Sequence, residues 1–179
     1  MRVISGVAKG KLLETLPGGD TVRPTTDRVK EALFSAIHFD LPNATVLDLF
    51  AGSGQLGIEA LSRGASHAHF VDLSRNATSV INKNLSACGF SSISSVTCAD
   101  YNTYLKNCNL SFDVAFIDPP YAANLFDGAI NAVAPYMQKD GIIVCEHPIN
   151  ILLTDIEQFT RRDYKYGKIA VTIFRKEAD

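Results

Sequence analysis

Val46-Leu47-Asp48-Leu49-Phe50-Ala51-Gly52-Ser53-Gly54-Gln55-Leu56-Gly57 runs from an apolar stretch through a carboxylate into a glycine-rich loop. Val46 to Leu49 reads as a buried strand, and the residues after Gly54 take up a helical pattern. Gly52, Gly54 and Gly57 have the spacing G-x-G-x-x-G, whose glycines let a backbone approach a ligand while it turns into a helix. That spacing serves dinucleotide sites and methyltransferase sites alike, and it also occurs in tight turns that bind nothing. Asp48 bears on the choice. A carboxylate this close to the loop repels a pyrophosphate but favours a ligand carrying an ammonium and a sulfonium, as S-adenosylmethionine does.

Outward from this run, strand and helix patterns alternate. Helices are expected over 55–63, closed by Gly64, over 75–87, closed by Gly89, and over 102–106 and 125–137. Strands are expected over 45–49, 68–71, 94–98, 113–117 and 141–146. A short helix near 154–158 precedes two strands, 160–165 and 168–174, joined at Tyr166-Gly167. Such alternation predicts an α/β fold with a mostly parallel sheet covered on both faces. The tightly joined last pair adds one antiparallel strand. Before this core, residues 2–5 and 11–16 form a hairpin. Thr25 or Thr26 caps a helix whose Val29, Leu33, Phe34 and Ile37 share one face. The chain divides into an extension (1–43) and a core (44–179) of one domain.

Ligands of such sheets sit beyond the C-terminal ends of the strands, so the other strand ends matter. The second ends at Asp72, whose carboxylate suits a ribose, although Asp72 or Ser74 could equally cap the next helix. The third ends at Asp100, placed for an adenine amino group or for another cap. The fourth ends Asp118-Pro119-Pro120-Tyr121, the most specific signal in the chain. The prolines fix the backbone and remove two N–H donors, leaving carbonyls free to face a ligand. An exocyclic amine of guanine or adenine is a poor nucleophile because its lone pair is delocalised. Two acceptors on its two N–H bonds, Asp118 and the Pro119 carbonyl, favour a pyramidal nitrogen with an exposed lone pair. Tyr121 supplies a ring on which the base can stack. The bland alternative is a proline-rich strand exit with a buried tyrosine.

Composition excludes several classes. With 46% hydrophobic and 20% charged residues, the 179-residue chain is ordinary for a folded domain. It has no apolar run long enough for a membrane span, and its N-terminus lacks the apolar core of a signal peptide. A cytoplasmic protein without membrane contact is expected. Cys88, Cys98, Cys108 and Cys145 make no C-x-x-C pair, so buried free thiols are expected. Cys88 and Cys98 with His67, His69 and His147 match no metal-site spacing, so no metal is expected. The net charge of −2 argues against a protein that coats nucleic acid. Basic residues nevertheless gather at both ends, with Arg2, Lys9, Lys11, Arg23, Arg28 and Lys30 at the first. They allow a local phosphate-binding face or merely a solvated surface.

The residues Asp48-Leu-Phe-Ala-Gly-Ser-Gly54, Leu56 to Ala65 and Asp118-Pro-Pro-Tyr121 resemble the bacterial RsmD family. So do the opening Arg2-Val-Ile-Ser-Gly6 with Lys9-Gly-Lys11, and Arg23-Pro-Thr-Thr-Asp-Arg-Val-Lys-Glu-Ala-Leu-Phe34. That family comprises guanine-N2 methyltransferases of 16S ribosomal RNA. The resemblance implies a Rossmann-like, class I S-adenosylmethionine-dependent methyltransferase with a seven-stranded sheet and an N-terminal hairpin and helix extension. It implies a cofactor site of Asp48, Phe50, Gly52, Gly54, Asp72, Asp100 and Tyr101. Asp118, Pro119, Pro120 and Tyr121 would hold the target base. Arg2, Lys9, Lys11, Arg23, Thr26 and Arg28 would face ribosomal RNA or the assembling small subunit, with the enzyme a monomer. Asp72 departs from the glutamate common at that strand end. The competing readings are an adenine-N6 methyltransferase of the same chemistry, a nicotinamide-dependent oxidoreductase, and a non-catalytic RNA-binding module. The first shares the Asp-Pro-Pro-Tyr motif but calls for a target-recognition domain that 179 residues leave little room for. Asp48 speaks against the second. An intact Asp118-Pro-Pro-Tyr motif speaks against the third.

Overall fold

Strand β1 (Thr45–Leu49) lies at the centre of the sheet in the computed structural model, which describes residues 1–16, 27–120 and 125–178. It is flanked by β2 (His67–Asp72) and β4 (Phe112–Ile117), both parallel to it. Strands β3 (Ser94–Cys98), β5 (Met137–Pro148), β6 (Phe159–Tyr166) and β7 (Ile169–Lys176) complete the order β3-β2-β1-β4-β5-β7-β6. Only β7 runs against its neighbours, pairing antiparallel with both β5 and β6. The chain winds outward from β1 in one direction and then resumes at β4 in the other. The crevice between the C-terminal ends of β1 and β4 is therefore the switch point at which such sheets bind ligands.

Alternation of side chains along the strands feeds two cores. Val46, Phe70, Phe116 and Val144 meet the helices α1 (Asp27–Ala36), α2 (Gln55–Ser62) and α3 (Arg75–Cys88) on one face, with Phe34 and Phe116 rings 5.5 Å apart. Leu49, Ile117, Ile143 and Phe174 meet α4 (Tyr101–Lys106) and α5 (Leu125–Val133) on the other. Burial on both faces is what central parallel strands require, and it explains their near-continuous apolar sequences.

The structure corrects three expectations. Helix α5 stops at Val133, where Ala134-Pro135-Tyr136 tightens into a 3-10 turn, and Met137 already belongs to β5. Strand β5 is irregular at its start: Phe112 pairs with Met137, but Val114 pairs with Ile142. No helix forms over 154–158. There the backbone is held by side chains, since Asp127 accepts from the Thr154 N–H and hydroxyl (2.9 and 2.8 Å) and Arg161 donates to the Leu153 carbonyl (2.7 Å). Cys98 is exposed on the edge strand, whereas Cys145 is buried.

The N-terminal hairpin forms as a short antiparallel pairing centred on Arg2 and Leu12, where the Val3 N–H donates to the Lys11 carbonyl (2.9 Å) and the Leu13 N–H to the Met1 carbonyl (3.0 Å). Amides that this pairing leaves over are taken by the core. Glu59 accepts from the Ile4 and Ser5 N–H groups (2.8 and 3.0 Å), and the Ser62 hydroxyl accepts from the Ala8 N–H (2.9 Å). Val3, Ala8 and Leu13 are buried in the α1–α3 face of the core. The segment is thus an arm lying along α2 and α3 rather than a free-standing ribbon. Thr25 and Thr26, expected as caps of α1, lie outside the described residues.

Candidate active site

A cavity of about 540 Å³ opens at the switch point, within the range of small-molecule sites. It is built from strand ends and the loops that follow them. Asp48 and the 50–56 loop come from β1, Val71 to Leu73 from β2, Ala99 to Tyr101 from β3, and Asp118, Pro119 and Pro120 from β4. Leu16 of the arm and Leu125 of α5 complete the wall. No Lys or Arg lines it among the described residues, while Asp48, Asp72, Asp100 and Asp118 all do.

The glycine loop explains its own sequence. Gly52 and Gly54 have positive φ (57° and 78°), a region L-residues rarely adopt. Gly57 is required for space: a Cβ there would collide with the Phe70 ring. Its N–H donates to Asp48 Oδ2 at 2.8 Å, which fixes the carboxylate beneath the loop. Phe50 also has positive φ (66°), an unfavourable state for an aromatic residue. It sets the ring 5.2 Å from that of Tyr101, so two aromatics share one wall of the cavity.

The four carboxylates differ in state. Asp48 is buried, and burial pushes its pKa up to about 7 despite the Gly57 N–H bond, with the Asp72 charge adding to the rise. Asp118 is also raised well above the ordinary range, by burial first, then by Glu146 and Asp48. Asp100 is lowered, chiefly by hydrogen bonding from Thr103. It accepts from the Asn102 and Thr103 N–H groups through one oxygen (3.0 and 3.1 Å), so it is the cap of α4 as well as a cavity residue. Asp72 accepts from the Gly52 N–H (2.9 Å) and the Ser74 N–H (2.8 Å), bracing the glycine loop against the start of α3. The cap of α3 itself is Ser74, whose hydroxyl accepts from the Ala77 N–H.

The structure therefore brings Asp48, Phe50, Gly52, Asp72, Asp100, Tyr101, Asp118, Pro119 and Pro120 to one cavity. Gly54 stands just behind it as the residue preceding α2. Tyr121, Arg23 and Thr26 lie outside the described residues. Arg2, Lys9, Lys11 and Arg28 are exposed, with the Arg2 guanidinium paired to Asp27 (2.9 Å), which ties the arm to α1. Leu16, Leu73 and Leu125 were not read from sequence as wall residues, although each closely follows or precedes a segment that was. Among the described residues, no cluster of His, Cys, Asp and Glu is arranged to hold a metal, and no helix is long and apolar enough to cross a membrane.

This fold has counterparts. Escherichia coli yhhF has a solved structure that superposes with a TM-score of 0.86 over 100% of this chain and 99% of that one, at 29% identity. YlbH of Bacillus subtilis is 37% identical over 98% of this chain and 99% of its own length. Ribosomal RNA small subunit methyltransferase D of Escherichia coli K12 is 30% identical over 99% of this chain and 91% of its own. The family model described as Conserved hypothetical protein 95 matches residues 1–175, and the chain accordingly belongs to that family, the RsmD family.

Proposed function

We propose that this protein uses S-adenosylmethionine to methylate the exocyclic N2 of a guanine in small-subunit ribosomal RNA. The observation that carries the cofactor is the sign of the cavity: four carboxylates and no cation line it among the described residues. A pyrophosphate-bearing dinucleotide would meet repulsion there, whereas an ammonium and a sulfonium meet attraction. The residues fit the rest of that molecule too. Phe50 and Tyr101 offer faces for an adenine, Asp72 keeps lone pairs for ribose hydroxyls, and Asp48 lies beneath the glycine loop, where a cationic tail favours its ionised form. When bound, the cofactor supplies an electrophilic methyl group.

The protein's own part lies at the end of β4. Pro119 and Pro120 contribute no N–H, so this strand exit presents acceptors only. Asp118 and the Pro119 carbonyl accept the two N–H bonds of the target amine. They thereby localise its lone pair and stabilise the positive charge that develops on nitrogen. Proton loss follows as the nitrogen becomes acidic, with Asp118 as the first acceptor. Leu16, Val71 and Leu125 give the cavity an apolar wall that limits water within it. Ribosomal RNA as substrate is supported by the relatives bearing that name and by the exposed Arg2, Lys9, Lys11 and Arg28.

The test is methyl transfer from labelled S-adenosylmethionine to small subunits, naked 16S RNA, transfer RNA and DNA, followed by nucleoside analysis. N2-methylguanosine in 16S RNA is the expected product. Methyladenine would overturn the assignment of the base while keeping the acceptor chemistry. Absence of transfer to every substrate would overturn the reading.

A further inference from the structure

Asn84 is a polar side chain that the reaction does not use, yet it is only 2% exposed, on the inward face of α3. Its amide is fully engaged. Oδ1 accepts from the Glu14 N–H at 2.8 Å, and Nδ2 donates to the Glu14 carbonyl at 3.0 Å, as a neighbouring strand would. The same Nδ2 donates to the Ser53 carbonyl at 2.9 Å. One side-chain amide thus joins two backbone segments far apart in sequence. Each of them supplies cavity wall: Ser53 sits in the glycine loop, and Leu16 is two residues beyond Glu14. The anchors of the earlier arm, Glu59 and Ser62, belong to α2 and reach neither the loop nor the cavity wall.

We infer that Asn84 is a positioning residue that couples cofactor binding to seating of the Leu13–Leu16 segment of the arm, and through it to RNA binding. This rests on the reading of the cavity as the cofactor site and of the arm as RNA-facing. The two states are the segment seated on Asn84 and the segment locally released. A ligand touching both Leu16 and the Ser53 loop contacts more protein in the seated state, so it shifts the balance toward that state. The seated segment fixes the preceding Lys11 on the body, where its carbonyl accepts from the Val3 N–H beside the Arg2–Leu12 bridge. Cofactor then strengthens RNA binding, and by linkage RNA strengthens cofactor binding by the same factor.

Hydrogen exchange on the full chain, with S-adenosylhomocysteine as the probe, tests this. In the wild-type protein, saturating probe should slow exchange of the Leu13 and Glu14 amides by about tenfold, within the usual coupling range. The Ile4, Ser5 and Ala8 amides should change far less. Asn84→Ala should abolish the probe-dependent protection of 13–14 and raise the probe's Kd by about the same factor. Ser62→Ala should expose the Ala8 amide yet leave that protection intact, which a purely structural clamp at Asn84 would not predict. If calorimetry shows the probe bound while wild-type exchange at 13–14 is unchanged, or if Asn84→Ala keeps the full protection, the coupling is wrong. That wild-type measurement holds even if the Asn84 variant fails to fold. A probe that gives no binding heat would instead remove the cofactor reading, and the coupling with it.

Discussion

At the scale of single residues, the site is governed by how burial sets the charge of Asp48 and Asp118. With a pKa near 7, Asp48 is partly protonated in the free protein at neutral pH. A cation in the cavity favours the ionised form, so binding should expel a proton. Calorimetry of S-adenosylmethionine binding at pH 7 in phosphate and in Tris should differ by the buffer heat of roughly half a proton; equal heats would contradict the role given to Asp48. The sign for stability follows from the same shift. Because the folded pKa lies above the ordinary value, the unliganded protein loses stability as pH rises from about 4 through 7, then levels off. Asp48→Asn can still accept the Gly57 N–H, and it should melt higher than wild type at pH 8 while binding cofactor less tightly. Asp118 calls for a different experiment. Asp118→Ala should lower single-turnover methyl transfer by roughly 10²–10³-fold, with cofactor affinity little changed. An acceptor must be ionised, so wild-type turnover should rise with pH through the raised pKa of Asp118. A pH-independent rate, or a variant with full turnover, would sink its role.

At the scale of elements, buried polar contacts bind the arm and α1 to α2. Glu59 is wholly buried; it accepts from the Arg63 guanidinium (2.8 Å) as well as from Ile4 and Ser5, and it lies 3.5 Å from the buried Lys30 ammonium. Lys30 in turn donates to the Arg2 carbonyl (2.6 Å). Removing the anion leaves a cation in an apolar setting, so Glu59→Gln should cost about 3–5 kcal/mol in urea unfolding. Adding Lys30→Met should restore part of the loss, and no restoration would show that the charge pairing is not the cause. None of this was legible in the sequence, where Glu59 and Lys30 look like ordinary helical surface residues. Arg63 apart, their partners stand 28 or more positions away, and local patterns carry no record of them. Asn84 escaped notice for the same reason. The central strands were legible because burial on both faces leaves continuous apolar runs, and β1 matches its expected bounds; the edge strand β3 matches its own without such a run. The site carboxylates were legible because a switch-point site takes its residues from strand ends. The end of α5 and the false helix at 154–158 were misread where Pro135, Asp127 and Arg161 decide the backbone.

At the scale of the whole molecule, charge is divided between two jobs. The net charge is −2, and the cavity is acidic, so an RNA polyanion gains nothing from the body as a whole. Attraction has to come from a local patch; Lys9 and Lys11 on the arm and Arg28 on α1 are exposed and make no ion pair among the described residues, whereas Arg2 is shared with Asp27 and Lys30 is buried against Glu59. Contacts of this kind act by releasing counterions from phosphates, and each contributes about 0.7 to the slope of log affinity against log salt for single-stranded RNA. Replacing both lysines by alanine should therefore weaken RNA binding and reduce that slope by about 1.4. The loss should be large at low salt and shrink as salt rises, because the missing term is electrostatic. Binding of S-adenosylmethionine to the free protein should be unaffected, since neither side chain lines the cavity. Filter binding of 16S RNA across a salt series decides the matter. An unchanged slope would place the RNA face elsewhere and leave the arm with only its structural contacts to α2 and α3.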